Sequence, residues 1–262
     1  MFKGRKNYWW WFLIPVAILL VVIGIFFLVK SKADSESLET LTIQPTQKHT
    51  STVIFLHGLG GNATSQKAEI EPIAKNHPHT KFIFPQAPII SISMNSGWPM
   101  PGWYDIRGNR NDIANLKQDK KGLLKSVKQI EKIIREEINI GIPPQKIMVM
   151  GHSQGGSVAL AVGLLTEYKL VGIVCLGGFL PCREEVFNWT EEKNQQIPFW
   201  LYHNYYDNMV PAWVGDESAK LLKQKGYQVE FDNSYNGTGA DNHLFRSDEL
   251  AKIISEALTH LI

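Results

Sequence analysis

Residues 149–160 read VMGHSQGGSVAL, and the serine among them decides how the rest of the chain is read. Gly151 and Gly155 flank Ser153 in a G-x-S-x-G pattern. Alone, that pattern is common. Here an apolar run, KIMVM, precedes it and a small-residue helical pattern, GGSVALAVGLL, follows it. Strand, sharp turn and helix are the context in which such a serine is strained, exposed and able to act as a nucleophile. Small neighbours are needed because side chains there would collide with the turn. Ser153 is therefore a candidate nucleophile; a serine merely sitting in a tight glycine turn is the alternative.

Outward from this stretch, apolar runs of strand length recur at 52–56, 81–85, 146–150, 172–176, 198–202 and 228–231. They are short and mostly continuous, as expected of strands covered on both faces. Helical patterns alternate with them. Leu123, Val127, Ile130, Ile134 and Ile138 follow a helical period, and further helices are expected over Val158–Thr166, Asp216–Lys225 and Arg246–Leu261. Such alternation predicts an α/β fold, a mainly parallel sheet with helices on both faces. Sites in such sheets lie beyond the carboxyl ends of the strands.

Each strand is followed by residues of interest. HGLGGNATS follows the first run, and its glycines can aim backbone N–H groups at a developing oxyanion. Asp207 follows the fifth run and His243 the sixth. Serine, aspartate and histidine thus succeed one another in the chain, each after a different strand. A histidine can take the serine proton, and a carboxylate can fix the imidazole tautomer. His260 is the only other histidine after Asp207, and it sits at the end of the last helix. Asp216 and Asp248 fall in helical patterns, and Asp232 and Asp241 in loops less well placed than Asp207. His57 is expected to pack under the glycine loop, His152 to point away from substrate, and His203 to be structural.

Several motifs agree with this reading. FLHGLGG, FPQAP, GWYD, NIGIPPQKIMVMGHSQGGSVAL, YKLVGIVCLGGFLP and DNMVP resemble the acyl-protein thioesterase/lysophospholipase-like carboxylesterase family of α/β hydrolases. The similarity covers about residues 50–262. It implies Ser153 as nucleophile, Asp207 as acid, His243 as base, and an oxyanion hole from the backbone N–H groups of Leu59 and Gln154. It implies that Gln86–Trp103, read as a long Pro-rich loop without secondary structure, forms part of an acyl-binding wall. Trp98, Met100 and Trp103 either face the acyl chain or pack beneath that loop, and Met209 and Val210 are further candidates. The activity implied is serine hydrolysis of fatty-acyl thioesters or esters, with acylated protein or lysolipid as substrate and no metal or organic cofactor. An oxygen-ester carboxylesterase and a non-catalytic, membrane-anchored binder of lipidated partners are the alternatives. The segment HNYYDNMVP departs from the family in carrying Asn204 and Tyr205 where small or acidic residues are usual, and the loop YNGTGADNHLF before His243 is longer than usual.

The chain has 262 residues and a net charge of +2, enough for one full core and without the basic excess expected of a nucleic-acid binder. Cys175 lies in an apolar run and Cys182 in a loop; no metal-ligand spacing is present and both are expected as free thiols. Tyr8–Val29 is an uncharged run of 22 residues, flanked by Lys3, Arg5 and Lys6 before it and Lys30 and Lys32 after it. Its length suits one N-terminal transmembrane helix. The resulting expectation is an anchor over 1–30, a polar linker over 31–50 with room for a short strand at Leu41–Ile43, and a catalytic domain over 51–262. A single-pass membrane protein follows from it.

Overall fold

The computed structural model describes residues 37–109, 112–113, 116–190, 192–240 and 242–261. In chain order its elements are β1 (Thr40–Ile43), β2 (Ser51–Leu56), α1 (Ala63–Ala74), β3 (Thr80–Pro85), β4 (Ile89–Ile92), β5 (Trp98–Pro101), β6 (Ile106–Arg107) and β7 (Lys117–Gln118). There follow α2 (Lys120–Asn139), β8 (Ile147–His152), α3 (Gln154–Leu165), β9 (Gly172–Leu176), β10 (Phe199–Asn204), α4 (Ala212–Gln224), β11 (Val229–Tyr235) and α5 (Ser247–Leu258).

Among the described residues, seven strands form the central sheet in the order β1-β3-β2-β8-β9-β10-β11. The pairings from β3 through β11 are parallel, and only β1 runs antiparallel, against β3. This is the mainly parallel sheet that the alternating pattern predicts, and it agrees with the α/β-hydrolase fold that the family resemblance implies. The residues of β1 lie in the stretch read as a linker, at the position where a short strand had room. All six residues of β2 are buried, as a strand covered on both faces requires.

Alternate side chains of one strand feed two cores. Ile54 and Leu56 of β2, with Val149 of β8, pack with Leu123 and Ile130 of α2, Val158 of α3 and Leu222 of α4. Val53, Phe55, Met148 and Met150 pack on the other face with Ile70 of α1 and Ile253 and Ile254 of α5. Helices α1 and α2 begin where side chains cap them: Asn62 Oδ1 accepts from Ser65 N, and Asp119 Oδ1 from Lys121 N.

Three features differ from the sequence reading. Helix α1 has no counterpart in it. Residues 86–103, expected as an irregular loop, contain the antiparallel hairpin β4–β5, with Ile89 opposite Pro101 and Ile92 opposite Trp98. The expectation of a single-pass membrane protein is corrected. Among the described residues no helix is long and apolar enough to cross a membrane. The run Tyr8–Val29, on which the anchor and the membrane contact rested, lies outside the described residues.

Candidate active site

The turn between β8 and α3 holds Ser153 at φ 54° and ψ −121°. The sequence forces this shape through close approach. A Cβ on Gly151 would lie 2.2 Å from the Gly155 carbonyl oxygen, and one on Gly155 would lie 2.3 Å from the Leu56 oxygen. Only glycine fits at either place. Ser153 N–H donates to Leu176 O at 2.7 Å, and its carbonyl accepts from Ser157 N at 3.0 Å. The serine is thereby fixed at the ends of β8 and β9.

Asp207 lies in the turn after β10. Its Oδ1 accepts from the N–H groups of Met209 (2.9 Å) and Val210 (2.8 Å), and its Oδ2 accepts from His243 Nδ1 at 2.6 Å. The carboxylate is wholly buried. This bond places the imidazole proton on Nδ1, which leaves a lone pair on Nε2. That Nε2 is buried and has no hydrogen-bond partner. It is the acceptor a serine hydroxyl needs. The loop carrying His243 is held at three points. Thr238 N–H donates to Leu244 O at 2.7 Å, Asn204 Nδ2 donates to the same oxygen at 3.2 Å, and His152 Nε2 bonds to the His243 carbonyl at 3.0 Å.

Ser153 and His243 open onto one cavity of about 440 Å³. Its walls include Leu59, Met94, Met100, Phe179, Met209 and Val210. Gln154 is the first residue of α3, so its N–H is among those a helix leaves unpaired. Its side chain reaches back, Oε1 accepting from Trp103 N at 2.9 Å and Nε2 donating to Tyr104 O at 2.8 Å. Leu59 sits in the glycine loop after β2, pinned by Gly60 N–H donating to Pro101 O at 2.8 Å. Leu59 and Gln154 thus follow two different strand ends and line the same cavity as Ser153.

The wall residues divide. Met100, Met209 and Val210 line the cavity. Trp98 is 71% exposed on the hairpin, and Trp103 is 2% exposed with its indole Nε1 donating to His57 O at 2.7 Å. Neither tryptophan lines the cavity. Among the competing acids, Asp216 pairs with Lys220, Asp248 with Arg246, and Asp232 caps Ser234 N. Asp241 lies outside the described residues. His260 stacks on Trp200, away from the site.

His57 is buried as expected, accepting from Ala87 N at Nε2, and desolvation lowers its pKa. His203 is buried beside the acid turn, with Nε2 bonded to Val210 O at 2.7 Å, and burial lowers its pKa too. His152 differs from expectation: it lines the cavity, with its ring centroid 4.8 Å from that of His243. Burial first, and then the neighbouring His243, pushes it down to about 3, so it stays neutral. Sequence reasoning also missed Tyr104, Ile106, Ile113, Leu116 and Phe179 as lining. Only GWYD, which contains Tyr104, and YKLVGIVCLGGFLP, which contains Phe179, carried a signal for any of them.

Residues 39–258 match the phospholipase/carboxylesterase family. Acyl-protein thioesterase 1 of Yarrowia lipolytica is 43% identical over 176 residues, which is 66% of this chain and 77% of that protein. Acyl-protein thioesterase 1 of Neurospora crassa is 34% identical over 224 residues, or 83% of this chain and 91% of that protein. The crystal structure of Zea mays acyl-protein thioesterase 2 superposes with a TM-score of 0.75 at 26% identity, covering 86% of this chain and 99% of that one. The glycine-bound serine turn, the buried Asp–His pair and the seven-stranded sheet are the setting of that match, and the chain belongs to the phospholipase/carboxylesterase family of α/β hydrolases.

Proposed function

We propose that Ser153, His243 and Asp207 are the nucleophile, base and orienting acid of a reaction that releases fatty acid from S-acylated protein. The chain is a serine hydrolase acting on acyl thioesters or esters. The relatives named as acyl-protein thioesterases support the choice of thioester and of acylated protein as substrate. The observation that carries the reading is the 2.6 Å His243–Asp207 bond beside a strained serine on one apolar cavity.

Ser153 Oγ attacks the carbonyl carbon while His243 Nε2 takes its proton. The N–H groups of Leu59 and Gln154 hold the resulting oxyanion, where a fixed donor is worth about 3–4 kcal/mol in the transition state. The carbon–sulfur bond breaks and the thiol leaves with the proton from His243. Water, deprotonated by the same nitrogen, then attacks the acyl-serine and frees the acid. Leu59, Met94, Met100, Met209 and Val210 keep the acyl chain out of water; methionine suits chains of varied shape.

The test is hydrolysis of a long-chain acyl thioester, and of the oxyester of equal length, by the full chain. Ser153→Ala is expected to lower kcat by about 10⁴-fold or more. Turnover of oxyester alone would make the chain an oxygen-ester hydrolase. Retention of activity by Ser153→Ala would remove the nucleophile assignment.

A further inference from the structure

The turn that carries Asp207 has a second side. Met209 and Val210 face the acyl cavity, whereas Tyr205, Tyr206 and Asn208 line a separate open groove with Trp213, Asp216 and Phe231. Tyr205 and Tyr206 are each 61% exposed, and Trp213 is 50% exposed. The tyrosine rings meet edge to face, with centroids 4.9 Å apart at 82°. Three large aromatics exposed in one groove make it a candidate contact surface. Among the described residues no lysine, arginine or histidine lines the groove.

The chemistry of this surface favours a cation. Faces of tryptophan and tyrosine attract one, and the Asp216 carboxylate adds to that attraction. Two effects oppose it. The start of α4 carries about half a positive charge, and Lys220 already bonds Asp216 at 2.5 Å. The Lys220 side chain is 65% exposed, so the pair is screened and exchangeable. A guanidinium suits this setting better than an ammonium. It is planar, less tightly hydrated, able to stack on an aromatic face and able to bond a carboxylate.

We infer that the groove is a subsite for an arginine side chain of the acylated polypeptide, near its acylated residue. The inference rests on the reading of acylated protein as substrate. It gives Tyr205, a departure from the family pattern, a purpose that the hydrolysis step does not. Residues of one turn line both the groove, through Tyr205, Tyr206 and Asn208, and the cavity that holds Ser153, through Met209 and Val210, which makes the two neighbours for one polypeptide.

The experiment compares kcat/KM of the full chain on S-acyl peptides that differ only in arginine or citrulline, scanned along the positions beside the acylated cysteine. Citrulline keeps the shape and removes the charge. Wild type is expected to favour arginine by about three- to tenfold at one or more positions. Trp213→Ala should bring that ratio near one, and Trp213→Phe should retain part of it. Both variants should cleave a long-chain acyl thioester of a small neutral thiol at the wild-type rate. A wild-type ratio of one at every position, or an unchanged ratio in Trp213→Ala, would overturn the inference while leaving the hydrolase reading intact. If wild type fails on the small thioester, the underlying reading fails first. If Trp213→Ala slows only a choline lysolipid, the groove serves a lipid headgroup and the polypeptide assignment is wrong.

Discussion

Ser153 stands at φ 54° and ψ −121°, and a non-glycine residue in so sparse a region carries strain of about 1–3 kcal/mol. Glycine there would relieve the strain but cost about 0.5–1 kcal/mol in chain entropy. Ser153→Gly is therefore expected to abolish hydrolysis and to stabilise the fold by about 1 kcal/mol, read as a higher Tm. A lower Tm would show that the turn stores no strain. Gly155→Ala should do the reverse, costing about 3 kcal/mol or more, because its Cβ would strike the Leu56 carbonyl, part of the backbone. This corner was legible in the sequence because its constraint is local: two glycines, a strand before and a helix after. The role of His152 was not. Its placement depends on the His243 carbonyl, 91 residues away, which no local pattern records.

Element by element, the same division holds. Gln154 joins the start of α3 to the backbone at Trp103 and Tyr104, and the Trp103 indole joins that segment to the glycine loop after β2. Gln154→Glu keeps the acceptor for Trp103 N but loses the donor to Tyr104 O, leaving a buried carboxylate oxygen against a carbonyl. A loss of about 1–3 kcal/mol is expected in denaturant titrations. A lower kcat at little-changed KM should accompany it, since the Gln154 N–H proposed as an oxyanion donor belongs to this joint. Equal kcat would show that the joint does not position them. Strands with continuous apolar runs were readable. Helix α1 was not, because its inward face is Ala63, Gln66, Ile70, Ile73 and Ala74, a weak stripe interrupted by Pro72. The β4–β5 hairpin was hidden by Pro99 and Pro101, which argue against a strand unless it is an edge strand, as both are here.

For the molecule as a whole, the removal of histidines from water has one electrostatic consequence, carried by His57, His152 and His203 and, in the same direction, by His77. His57, His152 and His203 all have pKa values lowered from 6.5 by burial. Each takes up a proton less readily when folded than when unfolded. The unfolded chain thus binds more protons below about 6.5, and stability falls as pH drops through that value. For His152 the loss continues towards about 3. Denaturation midpoints should decline between pH 7 and pH 5, before most carboxylates titrate. His152→Gln, which keeps a donor for the His243 carbonyl, should flatten that decline. An unchanged slope would place the acid sensitivity elsewhere.

The pairing of β2 with β8 runs from Thr52 opposite Ile147 to Leu56 opposite Gly151, joining segments about 95 residues apart. The glycine loop with Leu59 hangs from one strand and the Ser153 turn from the other. Helices such as α2 form from neighbours in sequence within microseconds, whereas so distant a pairing must first close a long loop, which slows folding to milliseconds or longer. A refolding chain is therefore expected to recover helical circular dichroism before it recovers ester cleavage. The time between the two signals would measure how long the molecule exists as a folded-looking but chemically silent intermediate, and coincident recovery would mean that sheet and site condense in one step.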